Sequence, residues 1–108
     1  MDKKIDLTEF DKLEQMLADA GIRYEREDKD GADGTYLFEY HQLRHPWDLD
    51  EDAEGMMYLW SAICSYGSYG YEEGLIELYG RNMSEPEGHL SAEKCFEMIM
   101  MIEGKKHE

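Results

Sequence analysis

Between Cys64 and Gly80 the chain reads CSYGSYGYEEGLIELYG, with glycines at 67, 70 and 74 that could present backbone N–H groups to an anion. Phosphate-binding loops of this kind add a lysine beside the phosphates, or space their glycines as G-x-G-x-x-G between a strand and a helix. Neither pattern is present, and no Lys or Arg lies between positions 45 and 80. Glu72 and Glu73 would also answer the dipole of a following helix themselves and repel a phosphate. The run therefore reads as a corner between a strand and a helix, with Gly67 and Gly70 at positive φ and the tyrosines closing over the core.

Other residues raise other chemistries. Asp48, Asp50 and Asp52 fit positions 1, 3 and 5 of a calcium loop, but Ala53 replaces the required glycine and Leu59 the bidentate glutamate. In DKDGADGTYLFE, Asp28, Asp30 and Glu39 fit positions 1, 3 and 12, while Ala32 and Asp33 break the middle. His41 and His45 lie four apart in a segment that reads as strand, with no H-E-x-x-H and no neighbouring cysteine for zinc. Cys64, Ser65, Ser68 and His89 have no nucleophile-elbow or other catalytic spacing, and a solvated surface is the expected setting for them. The residues thus call for no metal, no cofactor and no catalytic group.

Charge is the stronger signal. The chain has 11 basic and 26 acidic residues, a formal net charge of −15 on 108 residues. Solubility alone needs an excess of only about 2–8 charges in a small domain. So negative a body repels nucleic acid and anionic lipid and attracts basic surfaces. Acids occur throughout, and residues 48–54 hold five of them with no base. A solvated face accounts for such acidity, and so does a carboxylate array that stands in for phosphates in the basic groove of a nucleic-acid-binding protein. Asp48, Asp50, Glu51 and Asp52, with Glu72, Glu73 and Glu77, are the residues expected to carry the second role.

The elements that would position these groups follow from periodicity. Leu7, Phe10, Leu13, Leu17 and Ala20 recur at three- and four-residue intervals, predicting a helix over 7–20 opened by Asp6 and Glu9 and closed by Gly21. The period then changes to two. IRYERE and TYLFEYHQL flank a Gly/Asp loop as a hairpin, with Tyr36, Phe38 and Tyr40 on one strand face. Residues 56–65 are apolar on both sides, which suits a covered strand better than a buried helix. Leu75, Ile76, Leu78 and Tyr79 suggest a short helix ending at Gly80, on which Glu73 and Glu77 are i, i+4 neighbours. Ser91 caps a last helix, with Leu90 and Cys95 as a hydrophobic staple and Gly104 before a charged tail, 104–108. Met98, Met100 and Met101 widen its apolar face, as a buried helix or a homodimer contact would require.

The expected fold is a single α+β domain over 1–108: an N-terminal helix, an antiparallel sheet of about three strands, and two C-terminal helices packed on it. The N-terminus has no apolar run with a cleavage site, and no window is long and apolar enough to span a bilayer. Cys64 and Cys95 sit among apolar neighbours, as reduced, buried thiols of a cytoplasmic protein do.

CSYGSYGYEEGLIELYG followed by GHLSAEKCFEMI resembles small acidic proteins carried by prophages and mobile elements of gut Firmicutes. These share a tyrosine/glycine turn, a GL-(I/L)-E helix with a glycine after it, and a final G-x-L-x-A-E-x-x-F helix. The likeness rests on residues 64–80 and 88–99, and no catalytic residue comes with it. It implies a setting in which small accessory proteins disable host defences, as anti-CRISPR proteins do, several by mimicking DNA. The function so expected is non-enzymatic inhibition of a basic, nucleic-acid-binding host protein such as a CRISPR effector, without direct binding to nucleic acid or membrane. A homo-oligomeric accessory protein joined through the methionine-rich helix is the alternative. A ligand pocket beside Tyr66, Tyr69 and Tyr71 is a third.

Overall fold

The computed structural model of the protein describes residues 4–46, 58–81 and 83–106. In chain order these form α1 (Thr8–Asp19), β1 (Glu25–Lys29), β2 (Tyr40–Pro46), β3 (Tyr58–Ile63), β4 (Ile76–Gly80), β5 (Glu87–Leu90) and α2 (Ala92–Lys106). The strands make one antiparallel sheet in the order β1-β2-β3-β4-β5, a meander in which each strand pairs with the next. The fold is α+β, with one helix before the sheet and one after it.

The α1 helix starts and stops as its sequence predicts, with one change of partner. Asp6 Oδ1 accepts hydrogen bonds from the Thr8 amide at 2.9 Å and the Thr8 hydroxyl at 2.7 Å. Those donors, the amide first, hold the Asp6 carboxyl below its ordinary pKa. Glu9 does not complete a capping box on α1. Its Oε1 instead accepts the Ala92 amide at 2.7 Å, at the start of α2. Gly21, at φ +72°, closes α1, and the Ile22 amide donates to the Leu17 carbonyl at 3.0 Å. Ser91 Oγ accepts the Lys94 amide at 3.2 Å as the cap on α2.

The core lies between one face of the sheet and the two helices. Phe10, Leu13 and Leu17 of α1 and Cys95, Ile99 and Ile102 of α2 are buried with Leu43, Trp60, Ala62, Ile76 and Leu78 of the sheet. Each large apolar side chain so buried contributes about 1.5–3 kcal/mol. The opposite face is polar. Arg44 on it holds Glu25 and Glu27 of the neighbouring strand and lies over the Tyr58 ring, and Gln42 donates to Ser61 Oγ.

Several expectations need correction. The last helix does not stop at Gly104 but runs on through it to Lys106, so the expected tail 104–108 begins inside α2. The sheet has five strands, not about three, and one helix follows it, not two. The segment read as a penultimate helix is a single 3-10 turn, Tyr71–Glu73, followed by β4. Gly74 at φ +70° ends that turn, and Ile76, Leu78 and Gly80 alternate inward from it with a period of two. Glu73 and Glu77 are therefore not neighbours on a helix: Glu73 sits in the turn and Glu77 in a strand. In the hairpin, the second strand begins at Tyr40, so Tyr36 and Phe38 lie in the loop and share no strand face with it. The strand reading of 56–65 holds over Tyr58–Ile63, while 56 and 57 lie outside the described residues.

Candidate functional site

The meander sorts its connections between two ends of the sheet. The loop from β1 to β2 and the Tyr/Gly turn from β3 to β4 share one end. Pro46 and Tyr58, which flank residues 47–57, stand at the other end, across strands of six or seven residues, or roughly 20 Å. Asp48, Asp50, Glu51 and Asp52 themselves lie outside the described residues. Glu72 and Glu73 are exposed on the Tyr/Gly turn at the first end. The turn is a strand-to-strand connection, with Gly67, Gly70 and Gly74 all at positive φ. Glu77 is half-buried, and its Oε1 accepts the Tyr69 amide at 2.7 Å, so this carboxylate braces the turn.

Nor do the tyrosines of this end all close over the core. Tyr66 is 41% and Tyr69 59% exposed. Tyr36, Tyr66 and Tyr71 form a mutual cluster with ring centroids 5.6–6.0 Å apart, and Phe38 adds an edge contact to Tyr66 at 5.5 Å. Phe38 is 73% exposed at φ +65°, a conformation that L residues other than Asn and Asp seldom take. The Tyr66 amide donates to the Glu39 carbonyl at 2.8 Å and joins the two connections. Burial first, then the charge of Glu72, raises the Tyr71 phenol.

Beside the aromatic end lies a buried polar cluster. His41 Nδ1 is 2.7 Å from Asp28 Oδ1, and Nε2 is 2.5 Å from Glu39 Oε2. An ionised carboxylate only accepts, so each ring nitrogen of His41 faces an acceptor to which an N–H there can donate. Glu39 Oε1 also accepts the Ile5 amide at 3.1 Å. Burial pushes the Asp28 carboxyl up, but Arg26 and His41 outweigh it and hold the group below its ordinary pKa. Ser65 Oγ donates to the His41 carbonyl at 3.0 Å and accepts the His41 amide at 2.8 Å, while Ser68 Oγ accepts the Ser65 amide. These hydroxyls extend the β2–β3 pairing. They are buried, so the expected solvated setting is corrected for Ser65 and Ser68 and kept for His89, while Cys64 is the buried thiol that its apolar neighbours led one to expect.

A second buried pair occupies the far end. His45 Nδ1 is 2.5 Å from Glu103 Oε2, which also accepts the Trp60 indole N–H at 2.6 Å. Gly21, Ile22, Arg23, Met100 and Gly104 surround this pair in a cleft of about 470 Å³. It lies at the sheet end opposite Tyr66, Tyr69 and Tyr71, where the sequence suggested a pocket. No group of three His, Cys, Asp or Glu side chains is placed to hold a metal ion among the described residues. No described helix is long and apolar enough to cross a membrane.

Sequence reasoning weighed His41 and His45 only as zinc ligands and missed their burial against acids. Each is two strand positions from Leu43, so all three point into the core, and that alternation was the available signal. Glu39 lies only two residues before His41, but Asp28 of β1 and Glu103 of α2 are 13 and 58 residues from their histidines, separations that no local spacing reveals.

Cys64 and Cys95 are free and buried, and burial pushes both thiols up to about 12. Two consequences are expected. A thiol reagent at pH 8 labels neither cysteine until denaturant unfolds the chain; prompt labelling of either would contradict their burial. The thiols also favour the folded state only while protonated in both states. Their contribution is complete below about pH 8.5, the ordinary thiol value, and falls as pH rises toward 12. Urea midpoints measured from pH 7 to 10.5 should decline at the alkaline end, and variants with alanine at both positions should decline less.

Comparisons of the chain with protein-family models, with curated proteins and with solved structures return no match.

Proposed function

We propose that the chain is a non-enzymatic binding module of the anti-CRISPR type, which presents carboxylates to the basic groove of a nucleic-acid-binding host protein. The observation that carries this reading is the disposition of charge. Arg26 is spent on Asp11, Glu14 and Asp28, Arg44 on Glu25 and Glu27, and Lys12 on Glu93. Glu72 and Glu73 project from a turn with no Lys or Arg ion-pair partner among the described residues. These three cations are thus taken up by acids of the fold, while Glu72 and Glu73 face outward.

The test is a pull-down from bacterial lysate at 50 mM salt. The expected catch is released by 500 mM salt and by competing duplex DNA. It is also lost when Glu72 and Glu73, or Asp48, Asp50, Glu51 and Asp52, are reversed to lysine. Binding that ignores salt, or survives both reversals, overturns the proposal.

One observation favours a second reading. Met98 packs against the core, but Met100 is 43% and Met101 63% exposed on α2. A self-association through this face is the competing function. Light scattering at high concentration decides it, because a strict monomer excludes it.

A further inference from the structure

We infer that the aromatic end of the sheet, centred on Phe38 and Tyr66 and bordered by Glu72 and Glu73, is the anchor for an arginine-rich segment of the protein partner. The inference rests on the acidic-module reading above and names the part of the surface that binds.

Three observations converge on it. Phe38 spends backbone strain at φ +65° to hold a ring in solvent, where burial returns little. Such strain persists only when the surroundings impose it. Here the Ala32 amide donates to the Leu37 carbonyl at 2.8 Å and the Glu39 amide to the Tyr36 carbonyl at 3.0 Å, on either side of the ring. The rings are also preorganised. Tyr66 is held between Phe38 and the Tyr36–Tyr71 pair, so little rotamer freedom remains to be lost on binding. Finally, the two connections that build this end, residues 30–39 and 64–75, contain no Lys or Arg but do contain the exposed acids Asp30, Asp33, Glu72 and Glu73.

That chemistry selects the occupant. Stacked aromatic rings with basic neighbours suit single-stranded nucleic acid, but acidic neighbours repel its phosphates. An apolar partner would gain nothing from the carboxylates. A guanidinium fits both parts: its plane stacks on a ring face, and its fork of N–H donors pairs with a carboxylate. An ammonium has the charge without the plane, so arginine is preferred over lysine.

The experiment uses labelled nona-arginine and nona-lysine peptides as probes, with anisotropy at 150 mM salt and amide shift mapping on the whole chain. The variants are Phe38→Gly, which removes the ring and accepts the backbone angle, and the double change Glu72→Gln with Glu73→Gln. Nona-arginine should bind roughly tenfold more tightly than nona-lysine and shift amides around Phe38, Tyr66 and Glu72. Phe38→Gly should abolish that preference while leaving nona-lysine binding unchanged. Equal affinity for the two peptides, or a preference indifferent to Phe38→Gly, overturns the anchor and leaves the acidic module standing. Failure of both peptides to bind even at 50 mM salt removes the acidic module as well.

Discussion

Glu103→Leu is expected to lower the unfolding free energy by about 3–5 kcal/mol, a large part of the roughly 5–15 kcal/mol available to a domain of this size. Glu103 is buried near the end of α2, and its Oε2 serves two donors from the sheet, the Trp60 indole at 2.6 Å and His45 at 2.5 Å. Leucine fills most of the volume but accepts nothing. The indole N–H and the imidazole are then left in the core without a partner, at about 1–3 kcal/mol each. Glu103→Gln retains an acceptor and should cost about half as much. Urea titrations followed by Trp fluorescence and far-UV circular dichroism give both values. A leucine variant as stable as the parent would mean that dehydrating the carboxylate had cancelled its hydrogen bonds, and would refute the account of α2 docking.

Gly70→Ala should be nearly as damaging, at about 3 kcal/mol, by a backbone route. Gly70 has φ +100°, outside the left-handed well that other residues occasionally use. An added Cβ would stand 3.0 Å from both the Cα and the amide nitrogen of His89, and 3.1 Å from Leu75 Cβ. The Gly70 carbonyl also accepts the Glu73 and Leu75 amides, both at 3.0 Å, so it cannot turn aside without opening the turn. Gly67 is the natural comparison. Its φ is +88°, but nothing would lie within 4 Å of its Cβ, and Gly67→Ala should cost only about 1 kcal/mol. Equal losses in the two variants would show that crowding against β5 contributes nothing.

Both helices were legible because their apolar residues recur at helical intervals over three or more turns, with Asp6, Gly21 and Ser91 at the ends. The β1–β2 hairpin and β3 were legible from alternation and from covered, aromatic-rich sequence. The segment LIELYG was not. Leu75, Ile76, Leu78 and Tyr79 satisfy a helical stripe and a strand alternation equally well over so few residues. The left-handed Gly74 and the pairing of β4 with β3 decide between them, and neither is a local property. β5 was missed because EGHL has almost no strand propensity. It is placed by pairing with β4 and by Gly88, where a Cβ would collide with Tyr69. The candidate site was half legible. Its acids and tyrosines stand out in the sequence, but the exposure of Phe38 depends on where β2 begins, and the burial of His41 and His45 on the packing of β1 and α2 against the sheet.

The hydrogen bond from the Ala92 amide to Glu9 joins residues 83 positions apart. A nascent chain presents Glu9 long before Ala92 has been synthesised, whereas consecutive strands can pair as they leave the ribosome. The first strands can therefore pair before the last strand and α2, which follow one another directly, have emerged. The sheet's apolar face stays partly open to chaperones until α2 emerges. Shortening the chain from its C-terminal end would then leave a paired but uncovered sheet, and the soluble yield of such truncations should collapse abruptly once α2 is lost.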